Sequence, residues 1–273
     1  MSKLHIALEN KIATVVIDNP PANIWTVDTI NEVNEFILSL QNDNETKAVV
    51  FKSAHKLFFV AHLDLNTING AESGKAGIMA FSQMIKNIKA MNQLSIVLVD
   101  GIARGGGNEF VMACDLSYGT ENAAFAQPEI GVNIPTGGQG AVQFARRMGK
   151  GKGLQALLTG EDFSSQQAEA LNIITKYIPK TQLDTYLNSF LEALAGLELR
   201  DIMMYKDIVS VSIRDEEAGA HLELRYFLER ANEAKTQTII KAFLKSGGQT
   251  EREATDFQGV FTDTAAELGL NQE

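Results

Sequence analysis

Gly105-Gly106-Gly107-Asn108-Glu109 follows a short apolar segment, Ser95–Val99, and leads into the apolar segment Glu109–Cys114. Because glycine has no side chain, three glycines in a row let a ligand approach the backbone closely. We predict that Glu109–Cys114 is a helix, so that the glycine N–H groups lie at a helix N-terminus, which favours a negatively charged oxygen. Glu109 adds a group that can transfer a proton. The stretch therefore predicts an anion-stabilising site beside an acid/base residue.

Strands and helices alternate on both sides of this stretch. Apolar, β-branched segments predict strands, and apolar residues at spacings of three and four predict amphipathic helices. Before the glycines, strands are predicted at 4–8, 11–17, 47–51 and 95–99, and helices from about Val27, with Thr26 as N-cap, and over 75–91. After them, strands are predicted at 123–126 and 173–178, and helices at 136–148, 151–158 and 181–194. This alternation is typical of an α/β fold.

The character of the sequence changes near residue 197. From there on only helical patterns follow, among them one at 216–244. We therefore predict two parts, a core at 1–196 and a helical C-terminal region at 197–273.

The overall composition restricts the classes of partner. The chain has 273 residues, a formal net charge of −10 and a single cysteine. The acidic balance argues against nucleic acid or an anionic membrane surface as the main partner. The single cysteine excludes an intrachain disulfide and fits a reducing compartment. We find neither a signal peptide nor an apolar stretch of the ~18 residues that a membrane span needs, and we expect a cytoplasmic protein.

Glu109 and Glu129 are the candidate acid/base residues. Considered alone, the glycines fit a tight strand-to-helix turn without a ligand, and a glutamate in a first helical turn is favoured by the helix dipole without any function. Both carboxylates, however, lie among apolar or small residues, where a charge needs a partner or a task. Two such groups can share a proton or hold different pKa values. The four histidines lack metal-ligand spacing, which argues against a zinc site, and G-x-S-x-G is absent.

Three segments resemble motifs of one enzyme family. Phe59-Val60-Ala61-His62-Leu63-Asp64-Leu65 is similar to F-x-A-G-A-D-L, and the segment from Gly101 to Glu109 is similar to G-x-x-x-G-G-G-x-E. Gln127-Pro128-Glu129-Ile130-Gly131, with Pro135-Thr136-Gly137-Gly138 after it, is similar to P-E-I/V-x-x-G followed by P-x-x-G-G. In this order and spacing the segments resemble the enoyl-CoA hydratase/isomerase family, also called the crotonase family, over about residues 3–195.

The resemblance implies a crotonase-like (ClpP/crotonase) spiral of ββα units, with a helical C-terminal region that serves oligomerisation and covers the active site. It implies homotrimers or dimers of trimers, no prosthetic group, and an acyl-CoA thioester as the ligand. The thioester oxygen would bind in an oxyanion hole made by the backbone N–H groups of Leu63 and Gly106. The adenine would lie against the backbone near Ala61 and Leu63. Glu109 and Glu129 stand where hydratases of the family keep their two catalytic glutamates.

These positions favour a hydratase that adds water to a 2-enoyl-CoA thioester, because isomerases of the family commonly rely on one acid/base residue at the second position. An isomerase or an acyl-thioester decarboxylase on the same scaffold stays open as an alternative, and so does an acyl-CoA-binding oligomer without turnover. The sequence also departs from the family. His62 replaces the usual glycine, Leu63 replaces the usual alanine, and the C-terminal motif E-G-x-x-A-F-x-E-K-R-x-P is not evident.

Overall fold

The elements of the fold come from a computed structural model, which describes residues 2–67, 72–215, 221, 224–227, 229, 233–250, 252 and 256–270. The strands are β1 (Leu4–Glu9), β2 (Ile12–Ile17), β3 (Ala48–Ser53), β4 (Phe58–Val60), β5 (Leu94–Val99), β6 (Ile102–Arg104), β7 (Leu116–Gly119), β8 (Ala124–Ala126), β9 (Phe163–Ser164) and β10 (Lys176–Tyr177). The helices are α1 (Val27–Ser39), α2 (Glu72–Ala90), α3 (Gly106–Ala113), α4 (Gly140–Met148), α5 (Lys150–Thr159), α6 (Ser165–Ala170), α7 (Lys180–Ala195), α8 (Leu199–Ser212), α9 (Ala234–Lys245) and α10 (Phe257–Glu267).

The strands form two sheets that the chain builds alternately. The larger sheet has the order β1-β2-β3-β5-β7-β10 and is parallel except for β1 and β2. The smaller sheet has the order β4-β6-β8-β9 and is parallel except for β8 and β9. Each of the successive units β3-β4-α2, β5-β6-α3 and β7-β8-α4 adds one strand to each sheet and then a helix. This repetition confirms the predicted spiral of ββα units.

Both faces of the larger sheet are buried, which explains the nearly continuous apolar sequence of its central strands. Side chains alternate between the two faces of a strand. In β3, Val49 and Phe51 therefore join the larger apolar cluster, whereas Ala48 and Val50 join a second cluster on the opposite face. The larger cluster packs around α1, α2 and α3 and supports the segments that carry the candidate site residues.

The local signals at α1 predict its start correctly. The side chain of Thr26 accepts a hydrogen bond from the backbone N–H of Thr29, as expected for an N-cap. The apolar residues Ile30, Val33 and Ile37 are buried on one face.

Some predicted bounds were wrong. The short strand β6 lies between β5 and the glycines, so β5 does not lead directly into them. The strand expected at 173–178 is limited to Lys176–Tyr177, because Ile173 and Ile174 are buried beside α6, where their N–H groups donate to Ala168 O. The helical pattern at 216–244 starts outside the described residues at 216–220, and α9 begins only at Ala234.

The chain divides into two compact units, residues 1–203 and 204–273. From Leu199 onward, all elements among the described residues are helices. No helix in the described ranges has the length and the apolar character needed to span a membrane.

Candidate active site

The glycine stretch forms the first turn of α3. The helix begins at Gly106 and not at Glu109, where the sequence predicted its start. Gly105 precedes it with a φ of +50°, a backbone conformation that favours glycine. A side chain at Gly107 would clash with the carbonyl oxygen of Val60, so this glycine lets α3 pack directly on β4. The N–H of Gly106 therefore lies at the N-terminal end of a buried helix, where the helix dipole attracts negative charge.

Leu63 is held by a two-residue bridge to Trp25. The backbone N–H of Trp25 donates to His62 O, and the N–H of Asp64 donates to Trp25 O, both at 2.9 Å. In this parallel arrangement the N–H and C=O of Leu63 point away from Trp25. A Cβ atom added to Gly106 would lie 3.2 Å from the nitrogen of Leu63, so the two segments are close neighbours. Within the described ranges, neither the Leu63 N–H nor the Gly106 N–H donates to a protein acceptor. Two free donors therefore lie side by side, as an oxyanion hole requires.

His62 is tied to the same segment by its side chain. Its Nδ1 lies 2.8 Å from the backbone oxygen of Leu63. Since a carbonyl oxygen only accepts, Nδ1 carries the hydrogen. The Cβ of His62 lies 3.6 Å from the position that a Cβ of Gly105 would take, so this histidine borders the glycine stretch.

Glu109 is almost completely buried, with 3% of its surface exposed. Its Oε1 accepts hydrogen bonds from the backbone N–H groups of Gly138 and Gly140, both at 2.7 Å. Burial raises the pKa of Glu109, and the two backbone hydrogen bonds and the charge of Lys89 only partly oppose this effect. The carboxyl group is thus fixed in position and more easily protonated than an exposed glutamate.

The hydrogen bonds to Glu109 also explain why the predicted start of the helix at 136–148 was wrong. The sequence predicted a helix at 136–148, but α4 begins at Gly140. Gln139 has a φ of +77°. A side chain at Gly138 would lie 2.8 Å from Glu109 Oε2, so the segment must pass very close to the carboxylate. The residues before Gly140 do not adopt helical geometry, and the N–H groups of Gly138 and Gly140 point at Glu109.

Glu129 lies just beyond β8, at the start of a 3-10 turn that spans Glu129–Val132, and is half-buried. In the amide orientation that satisfies both groups, the nitrogen of the buried Gln127 side chain donates to both carboxylate oxygens of Glu129, at 3.0 Å and 3.2 Å. Burial, with a smaller contribution from the negative charge of Glu109, raises the pKa of Glu129 to about 7. Near neutral pH this carboxyl group can therefore both accept and give up a proton.

The tertiary structure brings the four predicted residues of the site together. A Cβ at Gly105 would lie 3.0 Å from Glu129 Oε1, and Gly106 is the immediate neighbour of Leu63. The ring of Phe81 reaches both Gly106 and Gly138 and so connects the two N–H donors with the surroundings of Glu109. Ala61, the other residue predicted to contact the ligand, is buried, and its N–H lies 3.3 Å from Ala22 O. The arrangement can stabilise an oxyanion next to two carboxyl groups.

A comparison with known proteins agrees with this geometry. A family model described as enoyl-CoA hydratase/isomerase matches residues 7–253. The chain belongs to this family. It is 31% identical over 179 residues to a short-chain-enoyl-CoA hydratase of Clostridium acetobutylicum, a match that covers 64% of this chain and 68% of that protein. It is 28% identical over 179 residues to a crotonyl-CoA hydratase of Syntrophomonas wolfei, with the same coverage.

Solved structures of the family share the fold. The crystal structure of an enoyl-CoA hydratase from Bacillus anthracis superposes with a TM-score of 0.82, over 89% of this chain and 96% of that chain, at 20% identity. The crotonase fold is therefore shown for this chain. Among the described residues, no group of three or more His, Cys, Asp or Glu side chains could hold a metal ion.

Several residues of the site were missed by the sequence analysis. Trp25, Phe81 and Gln127 contact the candidate residues, and Gly138 and Gly140 bind Glu109. Gln127 and Gly138 stand in segments that carry the family resemblance, so their motifs could have drawn attention to them. Trp25 and Phe81 have no such signal, because in the sequence they look like ordinary apolar positions of the core.

Proposed function

We propose that this protein is an enoyl-CoA hydratase that adds water to a 2-enoyl-CoA thioester. The observation that carries the proposal is the combination of two free backbone N–H groups, at Leu63 and Gly106, with two carboxyl groups whose pKa values are raised, at Glu109 and Glu129. Hydratases among the relatives support the same reaction class.

The N–H groups of Leu63 and Gly106 bind the thioester oxygen and stabilise the enolate that develops on it. Removal of one such donor typically raises the barrier by about 2.7–4 kcal/mol. The water molecule is held between Glu109 and Glu129. As its oxygen forms a bond with Cβ, one carboxylate takes a proton from the water, and the protonated partner supplies a proton to Cα. The pKa of about 7 at Glu129 suits a group that changes its protonation state in each turnover.

The carrier of the acyl group is CoA in this proposal, bound with its adenine against the backbone near Ala61 and Leu63, and no prosthetic group takes part. We also propose a homotrimer or a dimer of trimers in the cytoplasm, in which the C-terminal region contributes to assembly and covers the site. Light scattering coupled to size-exclusion chromatography tests the oligomeric state.

The substitution Glu129→Gln tests the reaction. It keeps the shape of the side chain but removes the proton that the group exchanges, so we expect hydration of crotonyl-CoA to fall by a factor of about 10²–10⁴, with binding of the CoA ester retained. Hydration at the wild-type rate by this variant would overturn the assignment. Product analysis of the wild type separates the alternatives: a shifted double bond or released CO₂ without a 3-hydroxyacyl product indicates an isomerase or a decarboxylase, and binding without any product indicates a non-catalytic protein.

A further inference from the structure

Trp25 is the only tryptophan of the chain. It follows β2 and precedes α1 in the sequence, and its side chain is completely buried. Its main chain forms the bridge to Leu63 described above. Its side chain makes a second and separate connection: the indole Nε1–H donates to the backbone oxygen of Gly106 at 3.2 Å. A single residue is thus hydrogen-bonded to both segments that supply the free N–H donors.

The two connections act on different parts of the oxyanion hole. The peptide group that carries the Leu63 N–H also carries the carbonyl of His62, which accepts the Trp25 N–H at 2.9 Å. A hydrogen bond to the carbonyl of a peptide group polarises it and strengthens its N–H as a donor. On the other side, the indole fixes the first residue of α3. The Cδ1 atom of the indole would lie 3.4 Å from a Cβ at Gly106, so the ring is also in direct packing contact there.

We propose that Trp25 is the positioning residue of the oxyanion hole, because it sets the separation between the Leu63 and Gly106 donors through its main chain and its indole N–H together. This inference rests on the proposed function, which assigns the two donors to the thioester oxygen. A smaller apolar residue at position 25 keeps the main-chain bridge to Leu63. It removes the indole hydrogen bond to the backbone oxygen of Gly106, so the Gly106 segment is no longer tied to position 25. Misplacement of a catalytic group by a fraction of an ångström to 1 Å is enough to slow a reaction by up to about 10²-fold.

The rival explanation is that Trp25 only fills the core. Its ring lies 5.0 Å from that of Phe110, and Phe51 lies at nearly the same distance, 5.1 Å, from the same ring. Phe51 is equally buried but belongs to β3 and has no hydrogen bond to either donor segment. It therefore provides a matched control for the loss of aromatic packing.

The experiment compares three full-length variants with the wild type. In the first, Trp25 is replaced by benzothienylalanine, which keeps the shape of the indole but has sulfur in place of the N–H group. The second is Trp25→Phe and the third is the control Phe51→Leu. Two quantities are measured: kcat and KM for crotonyl-CoA, and the infrared stretching frequency of bound butyryl-CoA labelled with carbon-13 at its carbonyl. Butyryl-CoA is saturated, so its carbonyl reports hydrogen bonding in the hole whatever the reaction is.

We expect the wild type to lower the carbonyl frequency relative to free butyryl-CoA. In the benzothienylalanine variant and in Trp25→Phe, this shift should shrink and kcat should fall by about 10-fold or more, with KM changed by less than about twofold because the remaining binding contacts persist. Phe51→Leu should lower the free energy of unfolding and leave the carbonyl shift intact.

Each outcome decides a different point. If the benzothienylalanine variant keeps the wild-type carbonyl shift and kcat, Trp25 is only a core residue and the inference is overturned. The same holds if the wild type itself leaves the carbonyl frequency unchanged. If the wild type and Phe51→Leu shift the carbonyl and the two Trp25 variants shift it less, but neither the wild type nor any variant hydrates crotonyl-CoA, the inference stands and the proposed reaction is wrong.

Discussion

The carboxyl group of Glu109 accepts two backbone hydrogen bonds of 2.7 Å and is almost free of solvent contact, whereas that of Glu129 is half-buried and faces the side-chain amide of Gln127. Burial raises the pKa of both groups, and for Glu129 the pKa reaches about 7. The donors at Glu109 belong to the main chain of Gly138 and Gly140, and they cannot be exchanged without rebuilding the loop. The donor at Glu129 belongs to a side chain.

The difference separates two tasks that one residue type can perform. Glu109 organises the fold around it, because the segment before α4 takes its shape from the bonds to this carboxylate. Glu129 is less buried, and burial together with the charge of Glu109 raises its pKa. Its side-chain neighbour Gln127 can be changed by one substitution. We therefore expect a substitution at Glu109 to affect the structure only if the new side chain no longer accepts the two backbone hydrogen bonds. Substitutions around Glu129 should affect mainly the dependence on pH.

The largest effect is expected at Glu109. In Glu109→Gln the amide oxygen still accepts the two backbone hydrogen bonds, so the fold is retained while crotonyl-CoA hydration falls by about 10²–10⁴-fold. Glu109→Leu leaves the N–H groups of Gly138 and Gly140 buried and unpaired, and each such group lowers the free energy of unfolding by about 1–3 kcal/mol. Urea denaturation and hydration assays of both variants measure these effects. Equal stability of the two variants would show that Glu109 does not organise the loop.

A smaller effect is expected at Gln127. Its amide hydrogen bonds stabilise the ionised form of Glu129, so Gln127→Met should raise the pKa of Glu129 further. One net hydrogen bond of about 0.5–1.5 kcal/mol corresponds to about one pH unit at most. The profile of kcat/KM against pH should move to higher pH by that amount, and Gln83→Met, an exposed position on α2, serves as the control. An unchanged profile, or a move to lower pH, contradicts the interpretation of Gln127.

The third effect concerns stability and not the reaction rate. A carboxyl group whose pKa rises from 4.5 to about 7 on folding binds more protons in the folded state than in the unfolded state, so it makes the free energy of unfolding decrease as the pH rises through this window. Glu129→Gln removes this contribution. The stability of the variant relative to the wild type should therefore be more favourable at pH 8 than at pH 5, as measured by urea denaturation at both pH values.

The control for Glu129→Gln is Glu45→Gln, a substitution of an exposed glutamate. A relative stability of Glu129→Gln that is the same at both pH values would mean that Glu129 does not titrate in this window in the folded protein.

The sequence predicted the elements of the core well wherever the signal is local. The N-cap at Thr26 and the apolar stripe of α1 depend on residues within one or two helical turns, and both were confirmed. The bounds that were wrong depend on distant partners. The start of α4 is set by the hydrogen bonds of Gly138 and Gly140 to Glu109, and the first turn of α3 lies where Gly107 packs against Val60 of β4. Periodicity carries no information about such contacts.

The candidate site shows the same division. The order and spacing of the motifs predicted Leu63, Gly106, Glu109 and Glu129 as site residues, because these residues lie in short segments with a recognisable composition. The same motifs predicted the family, which the family model confirms. The sequence alone did not indicate that Glu109 binds groups 29 and 31 residues away, or that Trp25 reaches the backbone of a residue 81 positions further on. Contacts between residues so far apart exist only after the two sheets and their helices have packed, so only the tertiary structure decided which N–H groups have a protein acceptor and which, at Leu63 and Gly106, have none among the described residues.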